Sequence, residues 1–177
     1  MLNQFNLQGA NRLKRIHIIG RKNSGKTTLV VDLVQHLTSA GYRVGTIKHT
    51  HHHHELDTPG KDSHRHREAG AKVVGIMSPD MIAAFRPAND AEDTQDRYDS
   101  LLPMFDGCDV VLVEGHSRSS AIKVEVWRAA VAGEPIATEE AEIAAVVTDD
   151  EVAVDVPVWP RSNVGAIVKQ LLELAEH

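Results

Sequence analysis

The apolar residues of this chain follow two alternating patterns. Continuous runs rich in β-branched residues at 16–19, 109–113 and 143–148 are typical of strands buried on both faces of a sheet. At 27–37 and 164–175, apolar residues recur every three or four positions, which predicts helices with one apolar face. Because strands alternate with helices, the pattern indicates an α/β fold with a mostly parallel sheet flanked by helices.

Weaker patterns supply the other elements. Residues 72–77 and 81–85 predict an antiparallel hairpin extension, because the SPD sequence at 78–80 is typical of a turn. Ser162 or Asn163 is the expected cap of the last helix. The remaining predicted elements are strands at 42–47 and 122–127 and helices at 63–69 and 90–105.

Length and composition mainly exclude classes of protein. With 177 residues, of which 42% are apolar and 25% charged, the chain suits one folded domain. We expect that domain to cover 16–177, after a flexible lead-in at 1–15. The single cysteine, Cys108, excludes internal disulfides and paired-cysteine zinc sites. The net charge of -6 and the lack of an apolar run near the ~20 residues of a membrane helix indicate a cytoplasmic protein that binds neither nucleic acid nor membranes.

The first predicted strand leads directly into a glycine-rich motif. The eight residues at 20–27 match the pattern G-x-x-x-x-G-K-[ST] between a strand and a helix, which is typical of a P-loop NTPase fold. In such a loop, backbone N–H groups and the helix N-terminus bind phosphate oxygens. Lys26 is expected to contact the β- and γ-phosphates, and the Thr27 hydroxyl to bind Mg²⁺. The residues of the motif are Gly20, Arg21, Lys22, Asn23, Ser24, Gly25, Lys26 and Thr27.

An acidic residue at the end of another predicted strand is a candidate metal ligand. The apolar run at 110–113 brings Glu114 to the carboxyl edge of the sheet, where ligands of open α/β sheets bind. Glu114 is therefore assigned to the magnesium ion; the alternative is a solvated charge at the strand end. Asp109, at the opposite end of the same run, is more typical of a turn or cap.

Seven of the eleven histidines lie between positions 49 and 66, four of them consecutively at 51–54. Neighbouring imidazoles are good ligands for zinc, nickel or copper, so a transition-metal site is one interpretation. A switch loop beside the phosphates, whose histidines contact anions or a partner, is the other. Asp62, in the turn-rich segment that follows, either caps a short helix or points at the magnesium shell or the attacking water.

Five segments together resemble a known family. They are GRKNSGKTTL at 20–29, GTIKHTHH at 45–52, DTPGKDS at 57–63, REAGA at 67–71 and LVEG at 112–115. In this order and combination they resemble the molybdopterin-guanine dinucleotide biosynthesis protein B (MobB) family. The histidine segment joined to PGKDS is more particular than the phosphate loop, which alone specifies only phosphate binding.

The resemblance implies a GTP-binding accessory protein of molybdenum cofactor biosynthesis with weak GTPase activity. It implies a homodimer formed through the sheets and a guanylyltransferase partner that attaches GMP to molybdopterin; molybdopterin and molybdoenzyme-maturation proteins are further candidate partners. Carried over to this chain, the phosphate site extends from Gly20 to Thr28. Thr27 and Glu114, with Asp62, surround the Mg²⁺ ion, and Lys26 and Asp62 are the candidate catalytic residues.

Two departures and two rival functions stay open. The family usually has an aromatic residue and a lysine after Glu-Gly, where this chain has His116 and Ser117. The Asn-Lys-x-Asp guanine signature is absent, and the acids of TDD at 148–150 are either base-reading groups or an acidic turn.

The first rival function is that of a metal-delivery GTPase whose histidines carry nickel or zinc. The second is a small-molecule kinase, which needs several arginines over the transferred phosphate.

Overall fold

The computed structural model describes residues 15–50, 55–87, 98 and 100–175. These residues form two compact units: the larger comprises the described residues up to His49 and from Leu102 onward, and the smaller lies within Thr50–Leu101. Positions 1–14 of the lead-in predicted at 1–15 lie outside the described residues, and Arg15 already belongs to the first strand. Most of the predicted helix at 90–105 also lies outside the described residues, and its last residues form a 3₁₀ helix, Leu102–Phe105. The single domain expected from the sequence stays a prediction.

Eight strands and three α-helices are described. The strands are β1 (Arg15–Ile19), β2 (Val44–Lys48), β3 (Val74–Met77), β4 (Ile82–Phe85), β5 (Val110–Glu114), β6 (Ile122–Val126), β7 (Ile143–Val147) and β8 (Val158–Trp159). The helices are α1 (Lys26–Ser39), α2 (Asp62–Glu68) and α3 (Val164–Leu174). Six strands of the larger unit form one parallel sheet in the order β2-β5-β1-β6-β7-β8. The predicted mostly parallel sheet is therefore confirmed.

The core of the larger unit lies between this sheet and its helices. Strand β5 buries four consecutive apolar residues, as its continuous pattern predicted. Helix α1 adds Leu29, Leu33 and Leu37, at the spacing of one helical face, and α3 adds Ile167 and Leu171. Burial of such side chains stabilises the fold by about 1.5–3 kcal/mol each, so the helices are held mainly by their packing on the sheet.

The helix ends follow from local sequence. The Asn163 side chain accepts a hydrogen bond from the Ala166 N–H at 3.1 Å, so Asn163 is the cap of α3. Gly41, which follows α1, has a φ of +90° and donates its N–H to the Thr38 carbonyl. None of the three described α-helices combines the length and the apolar character that a membrane span needs.

The smaller unit contains the predicted hairpin. Strands β3 and β4 pair in antiparallel fashion with Met77 opposite Ile82. The Ser78 hydroxyl accepts a hydrogen bond from the Met81 N–H at 3.0 Å and closes the turn. The predicted hairpin extension is confirmed. Helix α2 begins at Asp62, one residue earlier than predicted, with Lys61 in the cap position.

Some features of the larger unit have no periodic signal in the sequence. Strand β8 has two residues between Pro157 and Pro160, too few to show an alternation.

Asp109 occupies the turn position expected for it. Its carboxylate accepts hydrogen bonds from the Arg43 N–H and guanidinium, and these bonds lower the pKa of the carboxyl to about 2. This pair ties the start of β2 to the start of β5, its neighbour in the sheet.

Candidate functional site

The loop between β1 and α1 has the backbone conformation expected of a phosphate-binding loop. Gly20 has a φ of +141°, and a Cβ there would lie 2.3 Å from the Val126 carbonyl oxygen. Gly25 has a φ of +98°, and Asn23, a non-glycine residue, has a φ of +64°. The loop therefore packs directly against the end of β6 and curls through three left-handed residues. Successive N–H groups in such conformations converge on one anion.

Lys26 lies at the start of α1 with its side chain folded back over the loop. Its Nζ donates a hydrogen bond to the Arg21 carbonyl oxygen at 2.6 Å. Burial lowers the pKa of Lys26 below its ordinary value, and the charge of Glu114 acts in the opposite direction. The ammonium is thus a partly desolvated cation beside the loop amides, and a phosphate group is the natural counter-ion for it.

Thr27 and Glu114 meet at the carboxyl edge of the sheet. The Thr27 hydroxyl donates to Glu114 Oε1 at 2.7 Å, across 87 positions of sequence. Both groups offer hard oxygen atoms, which Mg²⁺ prefers, and the half-buried Glu114 also lies near the Lys26 charge. An apolar groove of about 440 Å³ opens beside this corner between α1 and β2. Thr27, Glu114 and Lys26 therefore form one cluster, which we call the metal corner.

The interior of the loop contains a polar group without a partner. Ser24 is 2% exposed, and its hydroxyl makes no hydrogen bond with any described residue. Buried hydroxyls are normally hydrogen-bonded, so an unsatisfied one under a curled glycine-rich loop fits a site that completes its contacts with a ligand. Together with the oxygen donors of the metal corner, it makes the loop suitable for a phosphate–magnesium group.

The side chain of Arg21 is directed at a segment that the sequence analysis did not connect to the loop. Its guanidinium donates to the Glu134 carbonyl oxygen at 3.1 and 3.3 Å. The same segment is also held by the fully buried Glu125 of β6, whose carboxylate accepts hydrogen bonds from the N–H groups of Ile136 and Ala137, each at 2.9 Å. Burial raises the pKa of Glu125, which these bonds partly offset. In the sequence, Glu125 stood out only as one of two charged residues, with Lys123, in the alternating strand pattern at 122–127.

The turn after β5 contains the residues that depart from the family pattern. Gly115 and His116 both have positive φ angles, +96° and +62°. The His116 ring stacks on the His49 ring with centroids 4.3 Å apart and planes inclined by 9°. The His49 N–H donates to the Glu114 carbonyl oxygen at 2.9 Å, so β2 continues along this turn. His116 thus keeps a planar side chain in the turn that follows Glu114.

Asp62 is the first residue of α2 in the smaller unit. Lys61, not Asp62, occupies the cap position, so of the two interpretations of Asp62 left open by the sequence, the helix cap was wrong. The turn before α2 is organised instead by Asp57, which accepts from the Thr58 N–H and the Ser63 hydroxyl. In the first turn of α2, the negative charge of Asp62 still interacts favourably with the positive end of the helix dipole. Its assignment to the magnesium shell stays a prediction.

The structure leaves the two interpretations of the histidine tract open. His51, His52, His53 and His54 lie outside the described residues. In the described part of the chain, no group of three or more His, Cys, Asp or Glu side chains is arranged to hold a metal ion.

The acids of TDD at 148–150 accept hydrogen bonds from other loops of the larger unit. Asp149 accepts from the N–H and hydroxyl of Ser162, and Asp150 from the Ala129 N–H. These acids form the acidic turn, the alternative to a base-reading site.

The chain matches a protein family over most of its length. The sequence model described as molybdopterin guanine dinucleotide synthesis protein B matches residues 15–149. The molybdopterin-guanine dinucleotide biosynthesis adapter protein of Escherichia coli (strain K12) is 35% identical over 105 residues, 59% of this chain and 60% of that protein. The adapter protein of the same name from Haemophilus influenzae is 31% identical over 147 residues, 82% of this chain and 80% of that protein.

Solved structures give the same result for the fold. The crystal structure of a molybdopterin-guanine biosynthesis protein B has a TM-score of 0.68 at 26% identity, over 90% of this chain and 99% of that one. A MobB homolog from Bacillus stearothermophilus has a TM-score of 0.63 at 21% identity, over 93% and 99% of the two chains. The predicted P-loop-type α/β fold is confirmed by these neighbours. Since the family model covers 15–149, the chain belongs to the molybdopterin guanine dinucleotide synthesis protein B (MobB) family.

Proposed function

We propose that this protein is a GTP-binding adapter in the synthesis of molybdopterin guanine dinucleotide, with Mg²⁺ as cofactor and slow GTP hydrolysis. The observation that carries the proposal is the 2.7 Å contact between Thr27 and Glu114 at the end of the phosphate loop. The name adapter protein belongs to relatives at 31% and 35% identity, and we extend that role to this chain.

The residues of the loop divide the work of binding. The backbone from Gly20 to Thr28 binds the phosphates, and Lys26 neutralises charge on the β- and γ-phosphates. Thr27 and Glu114 of the larger unit hold the metal ion, and the role of Asp62 as a third member of the metal shell stays what the resemblance implies. When bound, Mg²⁺ supplies charge neutralisation at the phosphate oxygens. Without nucleotide, the Lys26 ammonium donates to the Arg21 carbonyl oxygen. In the proposed complex it exchanges this hydrogen bond for one to a phosphate oxygen.

Turnover is slow in this proposal because no arginine is assigned to the transferred phosphate. Arg21 donates to the Glu134 carbonyl, and Arg43 pairs with Asp109. A charge supplied by a partner is a general way in which weak GTPases are accelerated. The proposed partner is the guanylyltransferase that joins GMP to molybdopterin, and molybdopterin and molybdoenzyme-maturation proteins are further candidates.

The metal corner predicts a specific defect in the Glu114→Gln variant. The amide still accepts from Thr27 but carries no charge, so we expect the Mg²⁺ concentration for half-maximal tightening of GTP binding to rise roughly tenfold or more. Titrations of a fluorescent GTP analogue against Mg²⁺ measure this. The unchanged protein should bind GTP more tightly than ATP, and Glu173→Gln on α3 is the control for loss of a surface acid. Equal binding of GTP and ATP, or no effect of Mg²⁺ on either, would contradict the proposal.

The proposed homodimer predicts an effect of charge on the hairpin. In the smaller unit as the structure describes it, this hairpin exposes four large apolar side chains: Ile76, Met77, Met81 and Ile82 are between 39% and 81% exposed. Exposed apolar patches mark interfaces, and a second copy offers a matching one. We expect sedimentation to give twice the chain mass, and Met77→Glu to shift the protein to monomers at micromolar concentration. Lys72→Glu, an exposed change before the hairpin, should leave the dimer intact. A monomeric unchanged protein would refute this arrangement.

A further inference from the structure

A buried histidine on β1 contacts the turn that carries Glu114. His17 is 0% exposed in the middle of a strand whose other buried residues are isoleucines. Its Nδ1 lies 3.3 Å from the Gly115 carbonyl oxygen, and its Nε2 lies 3.3 Å from the Ser119 hydroxyl. The ring therefore bridges the two ends of the turn that follows β5.

The chemistry of these partners fixes how the ring is protonated. Burial lowers the pKa of His17 to about 4, and the Arg15 charge acts in the same direction, so the ring is neutral at pH 7. A carbonyl oxygen only accepts hydrogen bonds, which assigns the proton to Nδ1 in the pair with Gly115. Nε2 then accepts from the Ser119 hydroxyl, whose oxygen in turn accepts from the Ala121 N–H at 3.1 Å.

The turn itself needs such support. Gly115 and His116 are consecutive residues with positive φ, and His116 has a side chain that disfavours this conformation. A Cβ at Gly115 would lie 3.1 Å from the His49 carbonyl oxygen, so the turn also fits tightly against β2. The Gly115 N–H donates to the Ile18 carbonyl at 2.9 Å. A strained turn persists only where contacts with neighbouring residues hold it in place. His17 supplies two such contacts from β1, to Gly115 and Ser119.

We propose that His17 is a positioning residue, which with Ser119 fixes the turn after β5 and so holds the Glu114 carboxylate against Thr27. The role of Glu114 at the metal ion rests on the proposed function, whereas the fixing of the turn does not. An apolar residue at position 17 would make neither of these hydrogen bonds. The imidazole is the side chain that reaches the Gly115 carbonyl and Ser119 from a strand position at the same time.

Three variants separate positioning from core packing. His17→Leu removes both hydrogen bonds, His17→Asn retains a donor near the place of Nδ1, and Ser119→Ala removes only the second bond. Leu37→Ala, a buried change in α1, is the control for general destabilisation. Amide hydrogen exchange at Gly115 and His49, relative to β7 amides, reports on the turn without any ligand. The Mg²⁺ dependence of GTP-analogue binding reports on Glu114.

Both measurements are expected to change in the His17 variants. In His17→Leu, we expect exchange at Gly115 and His49 to speed up roughly 3- to 10-fold relative to β7, with partial recovery in His17→Asn. The Mg²⁺ requirement should rise by a similar factor while affinity without Mg²⁺ stays within about twofold. Ser119→Ala should show a smaller change of the same kind, and it serves if His17→Leu does not fold.

Three outcomes would count against these ideas in different ways. Unchanged relative exchange in both His17→Leu and Ser119→Ala overturns the positioning role. Equal shifts of the Mg²⁺ requirement in His17→Leu and Leu37→Ala overturn it as well, because the effect is then general destabilisation. If the unchanged protein binds nucleotide without regard to Mg²⁺, the proposed function fails, and hydrogen exchange alone decides whether His17 fixes the turn.

Discussion

Replacing Gly20 with alanine is expected to lower the free energy of unfolding by about 2–6 kcal/mol. Two costs add up in this variant. The φ of +141° is a conformation that residues with a side chain rarely adopt, and the new Cβ would lie 2.3 Å from the backbone carbonyl of Val126. Because that carbonyl belongs to the last residue of β6, it cannot move without disturbing the sheet. Urea unfolding without nucleotide measures the loss.

Gly25→Ala is the matched control for this prediction. Gly25 also has a positive φ, +98°, but nothing lies within 4 Å of a Cβ built there. Its substitution therefore costs only conformational strain, about 1–3 kcal/mol. The difference between the two variants isolates the close approach of the loop to β6. Equal unfolding midpoints for Gly20→Ala and Gly25→Ala would mean that the loop adjusts and that the contact with Val126 does not constrain it.

The parts of the fold that the sequence predicted are those with local signals. The strand, loop and helix at 15–39 are contiguous, and each has its own pattern: a β-branched run, two glycines at fixed spacing, and a helical apolar face. Glu114 was found in the same way, as the acid at the end of an apolar run. Its contact with Thr27 follows from topology, because parallel strands end at one edge.

The contacts that the sequence did not predict join distant residues with no pattern of their own. His17 and Ser119 are 102 positions apart, and Arg21 and Glu134 are 113 apart. Nothing in either local sequence specifies the partner, because each bond depends on which strands become neighbours. Strand β6 lies beside β1, and this order places the Arg21 side chain near the segment after β6. Such pairings emerge only when the strand order is known.

The substitution at His116 shows how a departure from the family pattern is accommodated. The resemblance implies an aromatic residue at this position, and His116 still presents a ring, stacked on His49 at 4.3 Å. The lysine that usually follows is replaced by Ser117. A planar ring is therefore retained at position 116, whereas position 117 has no positive charge. Lys26 is the cation of the metal corner that contacts the phosphate loop, which makes it an informative residue to change.

Replacing Lys26 with methionine is expected to weaken GTP binding by roughly 10- to 150-fold, since charge-assisted hydrogen bonds contribute ~1.5–3 kcal/mol. Methionine keeps an unbranched side chain of similar length but cannot donate to phosphate or to the Arg21 carbonyl. Isothermal titration with a non-hydrolysable GTP analogue in excess Mg²⁺ measures the change. Lys169→Met, at an exposed position of α3, removes the same charge far along the chain and should leave the affinity within about twofold.

The stability of the Lys26→Met variant separates binding from folding. Burial lowers the pKa of Lys26, which means that its charged form is partly desolvated in the folded protein without nucleotide. Removing that charge should leave the unfolding midpoint unchanged or raise it, while the affinity for GTP falls. The stabilisation that GTP gives to the unchanged protein should shrink in the variant by the same free energy, because ligand binding and folding are linked. A variant that binds GTP as before would show that the loop does not use Lys26 for phosphate, and the proposed nucleotide site would then be wrong.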